Sequence, residues 1–309
     1  MKNTMKWFGI IAIIAIIGIL ATSASSDDVV KLPETITYGN GNYKKFEYDN
    51  KNRITKILHS SNGTLTLTEK LTYDEDYFVK NVEKCYPNGD CFKHEITKYR
   101  KTICLVRDDD DPIYDNFFSS DNFYIIVNSE DLPILFFSGR ELNADDEVWW
   151  NEYLKEGGRE MLAYYGLENE GLYPGDVISL QFQEGNQIKR IEPCGDFSSE
   201  FISKYDDKKS PFSQCATPKW WWWIWNVGIN LHHNIYCSYD GTFVHDADFV
   251  YSNFYQYCNK NNVVAVDYSD ANVIKTICKY VYDSDNYPIK CTLSDGKNEY
   301  ITEYKYIMR

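Results

Sequence analysis

The chain predicts an all-β protein: an antiparallel meander of repeated hairpins, barrel-like or a sandwich, with one short helical segment. Three observations lead there. A hairpin-like sentence recurs along the chain. Aromatic residues are abundant, with 26 Tyr, 16 Phe and 8 Trp. Asp, Asn and Gly cluster between short apolar runs. Aromatic side chains suit pleated, half-buried surfaces, and Asp, Asn and Gly supply the backbone shapes of tight turns.

Residues 1–24 read as a secretory signal peptide. Lys2 and Lys6 precede an apolar run from Trp7 to Leu20, and the small-residue stretch ATSASSDD follows at Ala21–Asp28. A basic start, a short apolar core and a small-residue exit mark a leader removed on export. Cleavage is expected after Ala24, and retention as an anchor is the alternative. The run falls short of the roughly 20 apolar residues that a membrane helix needs. The expected location is the periplasm or cell surface, and residues 25–309 are expected to form a single antiparallel β-domain.

Loss of the leader takes two lysines from a chain of 32 Lys and Arg against 46 Asp and Glu, moving the formal net charge from −14 to −16. That balance argues against nucleic acid and against anionic membrane surfaces as partners. An envelope glycan or envelope protein is the partner expected, with no integral membrane segment after leader cleavage.

The recurring sentence places an aromatic residue six and nine positions ahead of two aliphatic ones. Tyr48 leads to Ile54 and Ile57, Tyr73 to Val79 and Val82, Phe182 to Ile188 and Ile191, and Tyr268 to Ile274 and Ile277. Tyr282 leads to Pro288 and Cys291. The intervening tracts DNKNR, DEDYF, QEGNQ, SDANV and DSDNY are turn-like. Each copy reads as a strand end, a turn and a returning strand. The copies follow no fixed period, which excludes a regular solenoid. Residues three apart in a strand point to opposite faces, so Ile54 and Ile57 share a face only across a bulge.

These units resemble YD-type repeats. LPETITYGNGNYKKFEYDNKNRITKI (Leu32–Ile57), YDDKKSPF (Tyr205–Phe212) and YVYDSDNYPIKCTLSDGKNEYITEYKY (Tyr280–Tyr306) resemble a family of secreted, functionally uncharacterised bacterial proteins catalogued as having a porin-like fold. The resemblance covers 32–86, 177–212 and 264–308. It implies an antiparallel, barrel-like architecture and no reaction. The cysteine content and the long middle between Asp108 and Pro174 depart from it.

Strand text does not suit a lipid-facing wall. TLTLTEKLTY (Thr64–Tyr73) places Glu69 among Leu65, Leu67, Leu71 and Tyr73 on one face. Charge at membrane depth on a barrel costs a few kcal/mol. In FVKNVEKC, Lys80 and Lys84 share one face and Glu83 takes the other. In the last strand Tyr300, Thr302, Tyr304 and Tyr306 align, and Arg309 ends the chain where outer-membrane barrels usually end on an aromatic residue. A sheet with one wetted face is expected, with an outer-membrane barrel as a further alternative. Asn143–Gly166 is the helical segment, an insertion near 143–166, broken at Gly157-Gly158.

KWWWWIWNVG (Lys219–Gly228) suggests a carbohydrate platform, because indole faces stack on sugar rings. The ligand candidates are Trp220, Trp221, Trp222, Trp223 and Trp225. As a strand the run sends Trp220 and Trp222 one way and Trp221, Trp223 and Trp225 the other, so packing is the default for at least one set. In CYPNGDC, Cys85 and Cys91 flank an Asn88-Gly89 turn and are the disulfide candidate, provided the loop is wide rather than two residues long. The other pairings of the nine cysteines cannot be read. Cys85, Cys91, His94 and Cys104 match no strong zinc spacing. His232-His233 point apart on a strand, and the acidic turns (Asp108–Asp111, Asp145–Glu147, Asp283 with Asp285) lack calcium-loop spacing. No metal site and no cofactor is expected.

The sequence has no nucleophile elbow, zincin motif, P-loop or dinucleotide fingerprint. The expectation is an exported, non-enzymatic β-protein that binds or scaffolds at the cell envelope. A polysaccharide-binding or polysaccharide-active protein using the Trp-rich segment is the alternative.

Overall fold

The computed structural model describes residues 29–75, 78–99, 102–106, 122–128, 130–139, 178–194, 197–222, 259–268, 276–294 and 296–309. The expected signal peptide and the expected helical segment near 143–166 lie outside them. The described strands are β1 Lys31–Tyr38, β2 Tyr43–Tyr48, β3 Ile54–Ser61, β4 Thr64–Tyr73, β5 Val79–Cys85, β6 Cys91–Tyr99, β7 Thr102–Val106 and β8 Asn122–Val127. They continue as β9 Pro133–Gly139, β10 Ile178–Gln183, β11 Asn186–Cys194, β12 Phe197–Lys209, β13 Asn261–Tyr268, β14 Thr276–Tyr282, β15 Pro288–Ser294 and β16 Glu299–Met308. Each pairs antiparallel with its neighbours in chain order, and β1 pairs with β16, so the sheet closes. Of the two architectures left open by the sequence, the chain adopts the barrel.

Turns leading from an even to an odd strand gather at one end of the barrel, together with the outer ends of β1 and β16. There Val30 and Arg309 exchange two backbone hydrogen bonds of 2.9 Å. At this rim the recurring sentence acquires a structural meaning. Tyr48 faces Ile54 while Glu47 faces Lys56, and Tyr73 faces Val79 while Thr72 faces Asn81. Tyr282 faces Pro288 while Val281 faces Lys290. In each case the odd strand has one residue too many, a bulge that shifts the side-chain alternation by one. Residues three apart therefore turn inward together: Ile54 with Ile57, Val79 with Val82, Pro288 with Cys291, all buried. The spacing of six and nine is the mark of this bulge.

Three sequence readings need correction. In the Phe182 copy the inward pair is Gln187 and Arg190, both buried, rather than Ile188 and Ile191, because Phe182 faces Gln187 and Gln181 faces Lys189. In the Tyr268 copy Ile277 is exposed, and the turn with Ile274 lies outside the described residues. Lys80 and Lys84 do not share a face: the bulge at Val79 leaves Lys80 exposed and turns Lys84 into the barrel, 1% exposed.

The turn residues explain themselves. Asp49, Asn128 and Asp283 each accept, on Oδ1, the backbone amides two and four residues on, at 2.8–3.0 Å. The residues three positions on, Asn52, Asp131 and Asn286, have φ of 62°, 54° and 64°. Asn and Asp adopt that left-handed conformation more readily than other side chains bearing a Cβ.

Near this rim the inner wall is apolar, with Ile36, Phe46, Ile57, Val82, Leu180, Phe201 and Val266 in one cluster. Further along β4–β6 it turns polar, and Glu69, Lys84 and His94 are buried. Glu69 stands opposite Lys84 and lies 3.3 Å from His59 Nε2. Burial pulls the Lys44 ammonium below its ordinary pKa, with Glu69 opposing the shift. The outer wall carries cross-strand ion pairs: Lys56–Glu47 at 2.8 Å, Lys70–Glu83 at 2.6 Å, Lys189–Glu200 at 2.9 Å and Lys204–Asp267 at 2.6 Å. Among the described residues no helix is long and apolar enough to cross a membrane.

Candidate functional site at the plugged rim

After β12, residues 210–222 fold back over the rim as a plug. Ser210 donates its hydroxyl to the Asn259 carbonyl at 2.5 Å, and its amide to Lys260 at 3.0 Å. The Ala216 amide donates to Asn52 at 3.0 Å. Thr217 Oγ1 accepts the Ile54 amide at 2.8 Å, an amide for which the bulge leaves room, and lies 3.1 Å from the Tyr73 hydroxyl. The Lys31 amide donates to Gln214 Oε1 at 2.8 Å. The plug is thus bonded to the starts of β1, β3 and β13.

Lys219–Trp222 forms a single helical turn, with the Trp221 amide donating to Pro218 at 3.1 Å. Proline fits the start of a helix because its φ is already helical and its missing N–H is not needed there. The tryptophans therefore fan out by about 100° per residue instead of alternating between two faces. Trp220 packs on Phe78 at 5.0 Å between ring centroids, and Trp222 on Phe212 at 5.3 Å. Phe212 in turn meets Phe46 at 5.2 Å edge-on. Trp220, Trp221 and Trp222 are all buried. Trp223 and Trp225, and with them His232-His233, lie outside the described residues.

A tyrosine latch recurs around the rim. Tyr48 on β2 donates its hydroxyl to the Pro33 carbonyl on β1 at 2.6 Å, and Tyr73 on β4 to Ile54 on β3 at 2.7 Å. Tyr205 on β12 reaches Gln187 on β11 at 2.6 Å, Tyr280 on β14 reaches Val263 on β13 at 3.0 Å, and Tyr306 on β16 reaches Pro288 on β15 at 2.7 Å. Each acceptor is the first inward residue of its strand's bulge, where backbone groups fall out of the ladder. Burial pushes the phenols of Tyr48, Tyr73, Tyr280 and Tyr306 above their ordinary pKa, which keeps them protonated as donors. The recurring sentence marks Tyr48 and Tyr73 among these. On β14 it marks Tyr282, whose hydroxyl bonds Asp206, while Tyr280 two residues earlier makes the latch, and it shows none of the carbonyl partners.

A seam of charge lies beside the latches where the barrel closes. Lys31 Nζ meets Asp283 at 2.5 Å and Asp285 at 2.9 Å, and sits over the Tyr287 and Tyr306 rings. Burial opposes the shift, yet the bonds from Lys31 and from the Tyr287 and Asp285 amides hold the Asp283 carboxyl below its ordinary value.

Between the plug and the arc of rim from β4 to β11 lies a cavity of about 1080 Å³. Trp220, Phe78 and Leu132 give it an apolar side. Asp74, Glu130 and Asp131 bring carboxylates, and Lys80, Lys98 and Lys219 bring ammonium groups. Lys98 pairs with Asp131 at 3.4 Å, and Lys219 donates to the Gly185 carbonyl at 3.5 Å. Aromatic surface beside groups that both donate and accept hydrogen bonds is the chemistry that binds polyhydroxylated ligands. Of the tryptophan candidates among the described residues, Trp220 is the one that lines this cavity.

Cys85 and Cys91 stand directly opposite each other across β5 and β6 and are joined as a disulfide. The loop between them is the wide kind, with Gly89 at φ 97°. His94 is buried on the inner wall next to Val82, three residues and one face away from Cys91, so the zinc grouping is not assembled. Among the described residues no three His, Cys, Asp or Glu gather as metal ligands.

The fold and site together define a plugged, antiparallel β-barrel. No family model matches the chain, and no curated protein does. Among the solved structures similar to it are two porin-like proteins. One, from Bacteroides uniformis ATCC 8492, is 10% identical with a TM-score of 0.45, over 89% of this chain and 98% of that chain. The other, from Bacteroides vulgatus ATCC 8482, is 9% identical with a TM-score of 0.33, over 90% of this chain and 99% of that chain.

Proposed function

We propose that the protein is an exported, non-enzymatic β-barrel of the bacterial cell envelope that binds a glycan in the cavity at its plugged rim. Export rests on the leader at residues 1–24, and membership of the secreted YD-repeat-like family on the motifs quoted above. The observation that carries the binding function is the cavity of about 1080 Å³, where Trp220 and Phe78 lie beside three carboxylates and three ammonium groups. Its volume is at the upper end of small-molecule sites, which run to about 1,000 Å³, and suits an oligosaccharide better than a single sugar.

The ion pairs on the outer wall favour a barrel standing in water. A lipid-facing band would have to bury Lys56, Glu83, Lys189 and Glu200, each costing up to a few kcal/mol at depth. The exported protein is therefore expected in the soluble fraction without detergent, and a strict detergent requirement would instead support the outer-membrane alternative.

The test of binding is tryptophan fluorescence of the mature protein, titrated with a panel of envelope polysaccharides. A saturable change with one glycan class, weakened at least tenfold by Lys98→Ala or Asp131→Ala with the fold retained, supports the reading. Indifference to every glycan leaves the aromatic cluster as packing alone. Release of reducing ends during the same titration would favour the polysaccharide-active alternative, with Asp74, Glu130 and Asp131 as the carboxylates to examine.

A further inference from the structure

Two more cysteines share the inner face of one hairpin. Cys278 on β14 pairs in register with Leu293, and Tyr280 with Cys291 on β15, so the two cysteines stand diagonally on the inner face. Both are buried and unbridged in this structure, and Cys291 and Tyr280 are the polar neighbours that act on the Cys278 thiol. Diagonal neighbours in an antiparallel pair lie about 7–8 Å apart at Cα, beyond the usual disulfide range of roughly 4.4–6.8 Å. Both side chains belong to the same inner wall, so closing the bond needs the two strands to approach along this diagonal.

We propose that in the mature exported protein Cys278 and Cys291 are joined as a second hairpin disulfide, tying β14 to β15 next to the seam where the barrel closes. The proposal rests on the export reading, because an oxidising compartment supplies the oxidant. The reaction is thiol–disulfide exchange with a small-molecule or protein disulfide. One cysteine attacks it as a thiolate to give a mixed disulfide, and the other displaces the remaining half. Two S–H bonds become one S–S bond, and the two electrons and two protons leave with the donor as two thiols. The hydrogen bond with Cys291, and burial, hold the Cys278 thiol well above its ordinary pKa. Both thiols are buried in the closed barrel, out of reach of a disulfide donor, so the bond forms while the hairpin is still accessible during folding.

The experiment is peptide mapping of full-length protein produced with its own leader, alkylated under denaturing conditions without reductant. Trypsin cuts after Lys275, Lys279, Lys290 and Lys297, so the expected product is TICK linked to CTLSDGK. It is lost on reduction and in the Cys278→Ser variant. Recovery of both peptides alkylated, or of either linked to another cysteine, overturns the proposal when Cys85 and Cys91 are found oxidised in the same sample. If Cys85 and Cys91 are reduced as well, the export reading fails instead. Mature protein refolded with oxidised glutathione then decides the pair by the same map: linked peptides uphold it, and alkylated ones overturn it.

Discussion

The rim of the barrel has two unlike arcs. From β11 through the closing seam to β4, five tyrosine hydroxyls reach a bulge carbonyl on the preceding strand. Tyr205, Tyr306, Tyr48 and Tyr73 do so from the position that faces the next bulge, and Tyr280 from two residues ahead of it, opposite Cys291. On β8 and β10 the corresponding positions hold Val127 and Phe182, which face Pro133 and Gln187 across the same kind of bulge and have no hydroxyl to donate. The cavity opens against this second arc, with Ile96, Lys98, Leu132 and Gly185 among its walls. The bulge is common to both arcs and the latch is not. A repeat that serves only closure is kept intact along the seam, and it lapses where the rim borders a space that can take a ligand.

The plug spans both arcs, so its removal is the most damaging way to erase the contrast. Trp221 is fully buried and meets Trp222 edge-on at 4.5 Å between ring centroids. Trp221→Ala is expected to cost about 3–5 kcal/mol, the usual price of a large buried aromatic, read as a lowered midpoint in urea unfolding. A loss under about 1 kcal/mol would mean that the plug is not part of the cooperative core.

Single latches come next. Tyr73→Phe removes the donor to Ile54 and the contact with Thr217, leaving a buried carbonyl and hydroxyl short of a partner. Each such loss costs about 1–3 kcal/mol, and Tyr48→Phe, which loses only the bond to Pro33, should fall at the lower end. Hydrogen exchange sharpens the same point. Amides beside the bulges of β1 and β3 should open less often than those of β9, and equal protection would dissolve the distinction between the arcs.

Much of the latched arc was legible in the sequence, since the turns depend on local chemistry. Asp49 and Asp283 cap their own loops, and the aromatic-to-aliphatic spacing records the bulge directly. The demand for a bulge between Ile54 and Ile57 followed from strand geometry alone. In the Phe182 copy aliphatic character is not the inward signal. Arg190 turns inward instead and stacks on Phe201 at 4.3 Å, its charge tolerated on a partly polar inner wall. The tryptophan run misled because Pro218 starts a helical turn where a strand was expected. The cavity was not legible at all, being assembled from three turns, the end of β6 and the plug, which are far apart in sequence. What could be read was Trp220, one of its walls.

Titration separates the arcs more gently. The seam turn begins with Asp283, whose folded pKa is lowered, whereas the equivalent turn of the other arc begins with Asn128, which does not titrate. A depressed carboxyl contributes stability above its unfolded pKa of about 3.9 and loses it as pH falls through the folded value. Wild type should therefore exceed Asp283→Asn by on the order of 1 kcal/mol at pH 7, and the gap should close below about pH 4. Lys31, raised by the same pair despite its burial, releases its share only as pH climbs beyond about 10.4. A gap that is constant from pH 7 to pH 3 would show that the amide alone does the work of the carboxylate.

The smallest effect tests the rule in reverse. If a hydroxyl at the aromatic position of an even strand meets the bulge carbonyl of the preceding odd strand, Phe182→Tyr on β10 should find the Pro133 carbonyl on β9, just as Tyr73 finds Ile54. Phe182 packs half-buried against the core, so the added oxygen either gains that bond or enters apolar surroundings without one. A made bond is worth about 0.5–1.5 kcal/mol net, seen as a raised urea midpoint with unchanged slope. An unmade one costs about 1–3 kcal/mol and lowers the midpoint. The two outcomes differ in sign, so even a small shift decides. A gain would make the second arc a place where the latch was simply dropped. A loss would mean that its backbone has been set differently, with the bulge retained and its carbonyl turned away from the tyrosine's reach.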